Sequence, residues 1–375
     1  MAQAKPQETQ SQATFKLTKL KEAHLSSITC VDWSSALPNR IMSGSEDKFI
    51  KIWDIRSKKC GISWNLTAKG EVTDIASHQH TIWAAASDCK VYEFDTRMIR
   101  QKKDIVHFLE CKDEISEICY DSQCNALFIG DDHGKVTKYS LQDKKVTDSV
   151  LYHQNALCTA VTSIPRFQLG FCGGTDAMLY QFNCNKLEDA FAYSMQDMMS
   201  KHNTLTANHG NGKSAKSELT VNPPFIYSLD SKVLKDTDAV KQALVAIALG
   251  NGAVALYAPY VGDASGGGDE KKQNEEQQEE EEIVNDPVCV RDMHQSAVSD
   301  ISFGYHNDWL VSAGTDKFLM ISEWKLDESN SELAIESKFR IPLTEKPNSM
   351  VCTGNDIAQI VVADLSNNLS MYALK

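Results

Sequence analysis

Residues 24–54 contain three short stretches in which apolar and polar residues alternate, separated by polar turns. Alternation with a period of two is typical of half-buried β-strands, and turns this short favour antiparallel hairpins. The same three-part pattern recurs at 114–141, 153–182 and 294–324. Weaker copies occupy 71–95, 243–257 and 349–374. The chain is therefore predicted to be all-β, with seven similar sheet units spaced at about 40 residues.

The first copy carries the residues that identify the repeat. It begins with His24, contains the turn "SGSED" at 43–47, and closes on Trp53 and Asp54. These residues resemble the WD-repeat family of β-propellers, and the likeness spans nearly the whole chain. The resemblance implies a seven-bladed propeller. It also implies that one structural tetrad, joined by hydrogen bonds, is formed by His24, Ser43, Asp47 and Trp53.

Two other copies keep part of this tetrad. The sixth copy has His294, Ser312 and Asp316, but its Trp324 lies two residues late. In the fourth copy the four positions are occupied by His153, Cys172, Asp176 and Phe182. The remaining copies are eroded, so the first blade is the one expected to have the complete tetrad.

The two ends of the chain are predicted to share a blade. The last copy stops after its third strand, whereas residues 14–20, "TFKLTKL", form an alternating stretch ahead of the first copy. Pairing the N-terminal stretch with the last blade would protect two open sheet edges and close the ring.

The predicted domain organisation is a polar tail at 1–13 followed by a propeller at 14–375. Insertions are expected at 193–219 and 259–286. The second insertion is acidic: its residues 269–282 include eight acids and two bases, and so contribute −6 to a net charge of −13. Runs of like charge are typical of disordered segments that repel themselves.

Composition excludes several function classes. An acidic chain without a basic stripe is a poor candidate for direct nucleic-acid binding. No apolar stretch reaches the roughly 18 residues of a membrane span, and the polar N-terminus lacks a secretion signal. We therefore expect the chain in the cytoplasm, the nucleus or both. The propeller is predicted to be monomeric. The 11 cysteines include no CxxC pair, so neither a metal nor a cofactor is predicted.

Catalytic motifs are also missing from the sequence. It contains no GxSxG or HExxH motif, and the adjacent acids Asp131 and Asp132 suit a turn better than acid–base chemistry. The prediction is a non-enzymatic protein-interaction scaffold, because a rigid ring of short strands presents broad loop surfaces.

A finer prediction concerns residues 41–56, "IMSGSEDKFIKIWDIR". The stretch resembles the box by which substrate receptors of the WD-repeat family dock onto the adaptor of the cullin four RING ubiquitin ligase. Only Arg56 adds information beyond what a good blade requires. Asp95 and Arg97 end the second copy in the same register as Asp54 and Arg56. The resemblance thus implies a ligase substrate receptor with these four residues at the partner-binding site.

Two alternatives stay open at this stage. Arg56 could simply pair with a surface acid, which contributes little energy. The chain could also be a chromatin or complex-assembly scaffold that binds basic proteins through its acidic insertion, with no ligase role.

Overall fold

Seven four-stranded antiparallel sheets form a closed ring across the residues that the structure describes. The structure is a computed structural model, and it describes residues 15–66, 70–97, 107–200, 222–237, 241–259, 288–305, 308–327, 332–356 and 358–374. The predicted seven-bladed propeller is confirmed. In each blade we name the strands a to d from the centre of the ring outwards.

The first four blades follow the chain in order. Blade one contains β2 Ile28–Trp33, β3 Arg40–Ser45, β4 Phe49–Asp54 and β5 Lys59–Asn65. Blade two contains β6 Val72–His78, β7 Thr81–Ala86, β8 Lys90–Asp95 and β9 His107–Glu110. Blade three contains β10 Ile115–Asp121, β11 Ala126–Asp131, β12 Lys135–Ser140 and β13 Lys145–Leu151. Blade four contains β14 Cys158–Ile164, β15 Leu169–Gly174, β16 Met178–Asn183 and β17 Lys186–Ser194, with a 3-10 turn at Pro165–Phe167.

The last three blades complete the circle. Blade five contains β18 Ile226–Asp236, β19 Lys241–Leu249, β20 Ala253–Tyr257 and β21 Val288–Asp292. Blade six contains β22 Val298–Phe303, β23 Trp309–Gly314, β24 Phe318–Asp327 and β25 Glu332–Pro342. Blade seven contains β26 Pro347–Asn355, β27 Ala358–Asp364 and β28 Leu369–Leu374, and its outer strand is β1 Phe15–Leu20.

The ring is closed by the pairing predicted between the chain ends. Strand β1 pairs antiparallel with β28 along its whole length, from Phe15 opposite Leu374 to Leu20 opposite Leu369. The innermost strands contact one another in chain order, and β2 contacts both β6 and β26. The prediction that the N-terminal strand completes the last blade is confirmed.

The apolar core is divided among the seven junctions between blades. Each junction contains one cluster of buried side chains drawn from the two neighbouring sheets. Ile52 of blade one packs with Val72 of blade two in this way, and Ile28 packs with Val361 across the closure. Burying a side chain of this size contributes about 1.5–3 kcal/mol, so every blade depends on both neighbours for stability.

The insertion predicted at 193–219 begins later than expected. Tyr193 and Ser194 lie in β17, and residues 195–200 form a short helical segment. Met195 is buried, and Met198 and Met199 pack against the apolar cluster between blades four and five. These side chains therefore cover the propeller itself.

Three other predicted segments fall on residues that the structure does not describe. They are the tail at 1–13, the rest of the first insertion at 201–219, and residues 260–286 of the acidic insertion. Among the described segments, no helix is long and apolar enough to cross a membrane.

Candidate functional site

Blade one contains a connected set of buried polar side chains. The Nδ1 atom of His24 lies 3.1 Å from each carboxylate oxygen of Asp47, and its Nε2 atom lies 2.8 Å from Oγ of Ser43. The Nε1–H of Trp53 donates to the same Oγ at 2.9 Å. The four predicted tetrad residues are thus in contact with one another, and they join the connection before strand a to strands b and c.

Local structure explains why these side chains meet. Asp47 lies in the b–c turn and accepts hydrogen bonds from the backbone amides of Leu25 and Phe49 at 2.8 and 3.0 Å. Burial by itself would raise the pKa of Asp47, but the hydrogen bonds from His24 and these amides lower it to about 2. Asp47 is therefore ionised at neutral pH, and it fixes the orientation of the imidazole ring.

Blades four and six repeat the histidine–aspartate pair. Nδ1 of His294 lies 3.0 Å from Asp316, and its Nε2 lies 2.9 Å from Oγ of Ser312. Nδ1 of His153 lies 2.9 Å from Asp176. Phe182 in blade four occupies the position of Trp53 in the strand register.

Blade six lacks an aromatic side chain at the fourth tetrad position. Ser322 pairs with Leu310 there, as Trp53 pairs with Ile41 in blade one. Trp324 lies two residues further along the strand and packs edge-on against Phe303. The tetrad is therefore complete in blade one and partial in blades four and six.

The c–d turn of blade one exposes Arg56. Asp54 accepts hydrogen bonds from the amides of Arg56 and Ser57 at 3.0 and 2.9 Å, so the turn has a defined shape. The amide of Ser57 in particular lowers the pKa of Asp54. In the described segments the guanidinium of Arg56 makes no hydrogen bond or ion pair, and the residue is exposed.

The equivalent turn of blade two holds Arg97 differently. Its Nε and Nη2 atoms donate to the two carboxylate oxygens of Asp95 at 2.9 and 2.7 Å. This bidentate hydrogen bond lowers the pKa of Asp95 to about 2. A partner that used Arg97 would have to share or replace this ion pair, whereas Arg56 is already available.

Both arginine turns lie on one face of the ring. Neighbouring strands are antiparallel, so a–b and c–d turns emerge at the same end of every blade. The acidic connection of blade five joins β20 to β21, and Tyr257 pairs with Val288 at its base. That connection is also a c–d connection, so its two ends leave from the face that carries Arg56 and Arg97.

A set of carboxylates on the innermost strands was not predicted from the sequence. The acidic side chain of one blade accepts a backbone amide hydrogen from the next: Asp74 from Ile118 at 2.8 Å, and Glu117 from Val161 at 2.8 Å. Five such acids occur in the described part of the chain, namely Asp32, Asp74, Glu117, Asp230 and Asp300. The sequence signal for this set is that each of five inner strands has one of these acidic residues at a polar position.

These inner carboxylates have raised pKa values. Burial is the main cause: it raises the pKa of Asp74 to about 7, and those of Asp32, Asp230 and Asp300 to about 6. Coulombic repulsion from Asp32 and Asp300, which belong to other blades, adds to the rise in the pKa of Asp74. The inner acids join neighbouring blades through hydrogen bonds, and the repulsion between their negative charges opposes this stabilisation.

Asp131 and Asp132 accept hydrogen bonds at the b–c turn of blade three. Asp131 accepts the amide hydrogens of His133 and Lys135, each at 3.0 Å, and Asp132 accepts the hydroxyl hydrogen of Ser116 at 2.7 Å. The turn alone therefore accounts for both carboxylates.

Comparison with known proteins agrees with this geometry. The family model for the WD domain, G-beta repeat, matches residues 15–54 and 285–321. The solved RRP9 WD40 repeats superpose with a TM-score of 0.65 at 12% identity, covering 96% of this chain and 97% of that one. The U3-55K structure gives a TM-score of 0.64 at 12% identity, covering 96% and 98%.

The chain is accordingly a seven-bladed β-propeller that contains WD repeats, and propellers with such repeats generally serve as protein-interaction scaffolds. A similar curated protein is the WD repeat-containing protein 53 homolog of Dictyostelium discoideum. The two chains are 23% identical over 364 residues, which cover 94% of this chain and 93% of the relative.

Proposed function

We propose that this propeller is a complex-assembly scaffold, and that a basic protein partner binds the acidic connection of blade five. The observation that carries the proposal is the attachment of residues 258–287 to the ends of β20 and β21 on the a–b and c–d face. A partner held there would lie beside the exposed turns of the other blades.

Charge supports this choice of partner. Residues 269–282 contribute −6 of the net charge of −13. Attraction between such a segment and a basic protein acts over about 10 Å at 0.1 M salt, and it raises the association rate more than it lowers the dissociation rate. Binding of this kind weakens as salt is added.

Binding of the full chain to core histones tests the proposal. Replacing the eight acids of 269–282 by glutamine or asparagine should weaken binding by about tenfold at 0.1 M salt, because the attraction is electrostatic. A variant with the same 14 residues in scrambled order keeps the charge and should bind like the parent chain. Equal binding by the parent and neutral chains would refute the proposal.

A second candidate function is docking of the cullin four RING ligase adaptor through the c–d turns of blades one and two. The observation that favours it is the exposed guanidinium of Arg56 on a turn that Asp54 holds in shape. Arginine suits such contacts because its planar guanidinium makes bidentate hydrogen bonds and stacks on apolar surfaces. The adaptor would recruit the propeller, and other loops would bind the ubiquitination substrate.

Co-precipitation of the adaptor with Arg56→Ala and Arg97→Ala chains tests this second candidate. Loss of the adaptor with an unchanged thermal midpoint would support docking, and the loss should be larger for Arg56→Ala. Lys58→Ala alters another exposed cation in the same turn and is the matched control. Undiminished co-precipitation of the adaptor by the Arg56→Ala/Arg97→Ala double variant would exclude this docking mode. That result would not bear on the proposed binding of histones.

A further inference from the structure

The three buried histidine–aspartate pairs differ in what faces the second ring nitrogen. Nε2 of His24 and Nε2 of His294 each contact a serine hydroxyl, at 2.8 and 2.9 Å. Nε2 of His153 is fully buried and has no oxygen or nitrogen partner among the described residues, and the group that it meets is the Cys158 thiol. A thiol is a weak hydrogen-bonding group, so this nitrogen is less well satisfied than its counterparts in blades one and six.

Two cysteines replace two other residue types around His153. In the strand register Cys172 occupies the position of Ser312 in blade six, so a thiol replaces the hydroxyl. Cys158 occupies the position of Val298, so a second thiol replaces an aliphatic side chain. Blade four thus introduces two sulfur atoms together, at the place where the other histidines meet one hydroxyl.

These groups converge in the core of blade four. One imidazole nitrogen of His153 and the sulfur atoms of Cys158 and Cys172 lie within 4.8 Å of one another. All three residues are fully buried. Nδ1 of His153 is hydrogen-bonded to Asp176 at 2.9 Å, so Nε2 is the nitrogen that can bind a metal ion.

We propose that Nε2 of His153 and the thiolates of Cys158 and Cys172 bind one thiophilic d10 cation, Zn²⁺ or Cu⁺. Both ions favour sulfur and imidazole ligands. Zinc bonds of about 2.3 Å to sulfur and 2.0–2.1 Å to nitrogen place the ligand atoms roughly 3.5–4 Å apart, so shifts below about 1 Å would bring all three ligand atoms to bonding distance.

Asp176 would act as the outer partner of the metal-binding histidine. Histidine ligands in metal sites usually donate their other N–H to a carboxylate, which fixes the tautomer and makes the ring a better ligand. The contact between Asp176 and Nδ1 supplies this arrangement in advance. The histidine–aspartate pair of the repeat is therefore already oriented for metal binding.

The proton and charge balance of binding is simple. The two S–H bonds break, two protons leave to solvent, and two metal–sulfur bonds and one metal–nitrogen bond form without oxidation or reduction. With Zn²⁺ the site is electrically neutral, which burial favours. With Cu⁺ it carries one negative charge, but three ligands then complete the coordination.

Metal analysis of the full chain tests the proposal. Protein expressed in medium supplemented with zinc or copper, and dialysed under reducing conditions, should retain about one metal ion per chain by mass spectrometry. Zn²⁺ and Cu⁺ are distinguished by competition with chelators specific for each. Cobalt substitution should produce a thiolate-to-metal charge-transfer band, which a merely packed histidine would not.

The decisive variant is Cys158→Val/Cys172→Ser, which gives blade four the valine and serine that blade six has at the equivalent positions. It should fold, provide a hydroxyl for His153, and lose the metal and the rise in thermal midpoint that metal causes. Cys60→Ser changes an exposed cysteine and should keep the metal. Equal metal content in the double variant, no metal in the parent chain, or a Cys158–Cys172 disulfide in the reduced parent would each overturn the proposal.

Discussion

Phe15, the first residue of β1, pairs directly with Leu374, the last residue of β28. The Phe15 ring also lies edge-on to Phe339 with 5.4 Å between centroids, and 6.0 Å from Trp309. Both of these residues belong to blade six. One side chain near the N-terminus therefore contributes to blade seven through its backbone and to blade six through its ring.

Replacing Phe15 with alanine should destabilise the closed ring. The lost contacts with Trp309 and Phe339 should lower the free energy of unfolding by about 2 kcal/mol, because the ring is only partly buried. Leu17→Ala in the same strand is the control, since Leu17 is 47% exposed. Thermal melting of both variants measures the difference, and equal midpoints would show that Phe15 does not hold the closure.

Replacing Trp53 with phenylalanine tests the blade-one tetrad. The change removes the N–H that donates to Ser43 at 2.9 Å and should cost about 1 kcal/mol beyond the loss of ring volume. Trp64→Phe, in the outer strand of the same blade, reports the volume effect alone. Denaturant titration compares the two, and an identical loss of stability would mean that the hydrogen bond contributes nothing.

The inner carboxylates should make stability fall as pH rises. The pKa of Asp74 is raised from 3.8 to about 7, mainly by burial, so the folded state favours the protonated acid. This contribution is complete below about pH 4 and is lost as pH rises towards 7. Asp74→Asn can still accept the Ile118 amide hydrogen, and it should raise the thermal midpoint at pH 8 more than at pH 5.

Asp113→Asn, which alters an exposed acid, is the control for that measurement. Asp32 and Asp300 also have raised pKa values and remain in the variant, so part of the pH dependence should persist. An unchanged difference between pH 5 and pH 8 would show that Asp74 is not a source of the pH dependence.

Gly44 should not tolerate a methyl group. A Cβ atom built at this position would lie 2.4 Å from Cγ1 of Val72 and 2.6 Å from Sγ of Cys30, where blades one and two pack closely. Gly44→Ala should therefore cost about 1–3 kcal/mol through overpacking. Gly61→Ala, where the nearest atom is 3.8 Å away, is the matched control. Calorimetry giving the same midpoint for both would contradict the close approach.

The architecture could be predicted because it depends on local pattern. Alternation, turn residues and the repeat spacing are all visible within about 40 residues, and an unpaired edge at each end of the chain requires a partner. The tetrad residues of blade one also follow from the repeat, since a hydrogen-bonded set of this kind needs fixed residue types at fixed positions.

Other features could not be predicted from the sequence. Some join residues from different blades, and others depend on two residues of one repeat being replaced together. Asp74 and Ile118 are 44 residues apart, and their hydrogen bond exists only because inner strands lie side by side. The sequence places Arg56 and Arg97 in the same register of neighbouring blades, but only the structure shows that Asp95 holds Arg97 in an ion pair.

The seven repeats, their strands and the pairing of the two chain ends follow from the sequence, because they depend on short-range periodicity and on unsatisfied sheet edges. Which side chains meet depends on the tertiary fold. His153, Cys158 and Cys172 lack the spacing of a known metal motif, and their ligand atoms come within 4.8 Å because strand register aligns three separate segments. Folding, and not spacing along the chain, sets the distance between such groups.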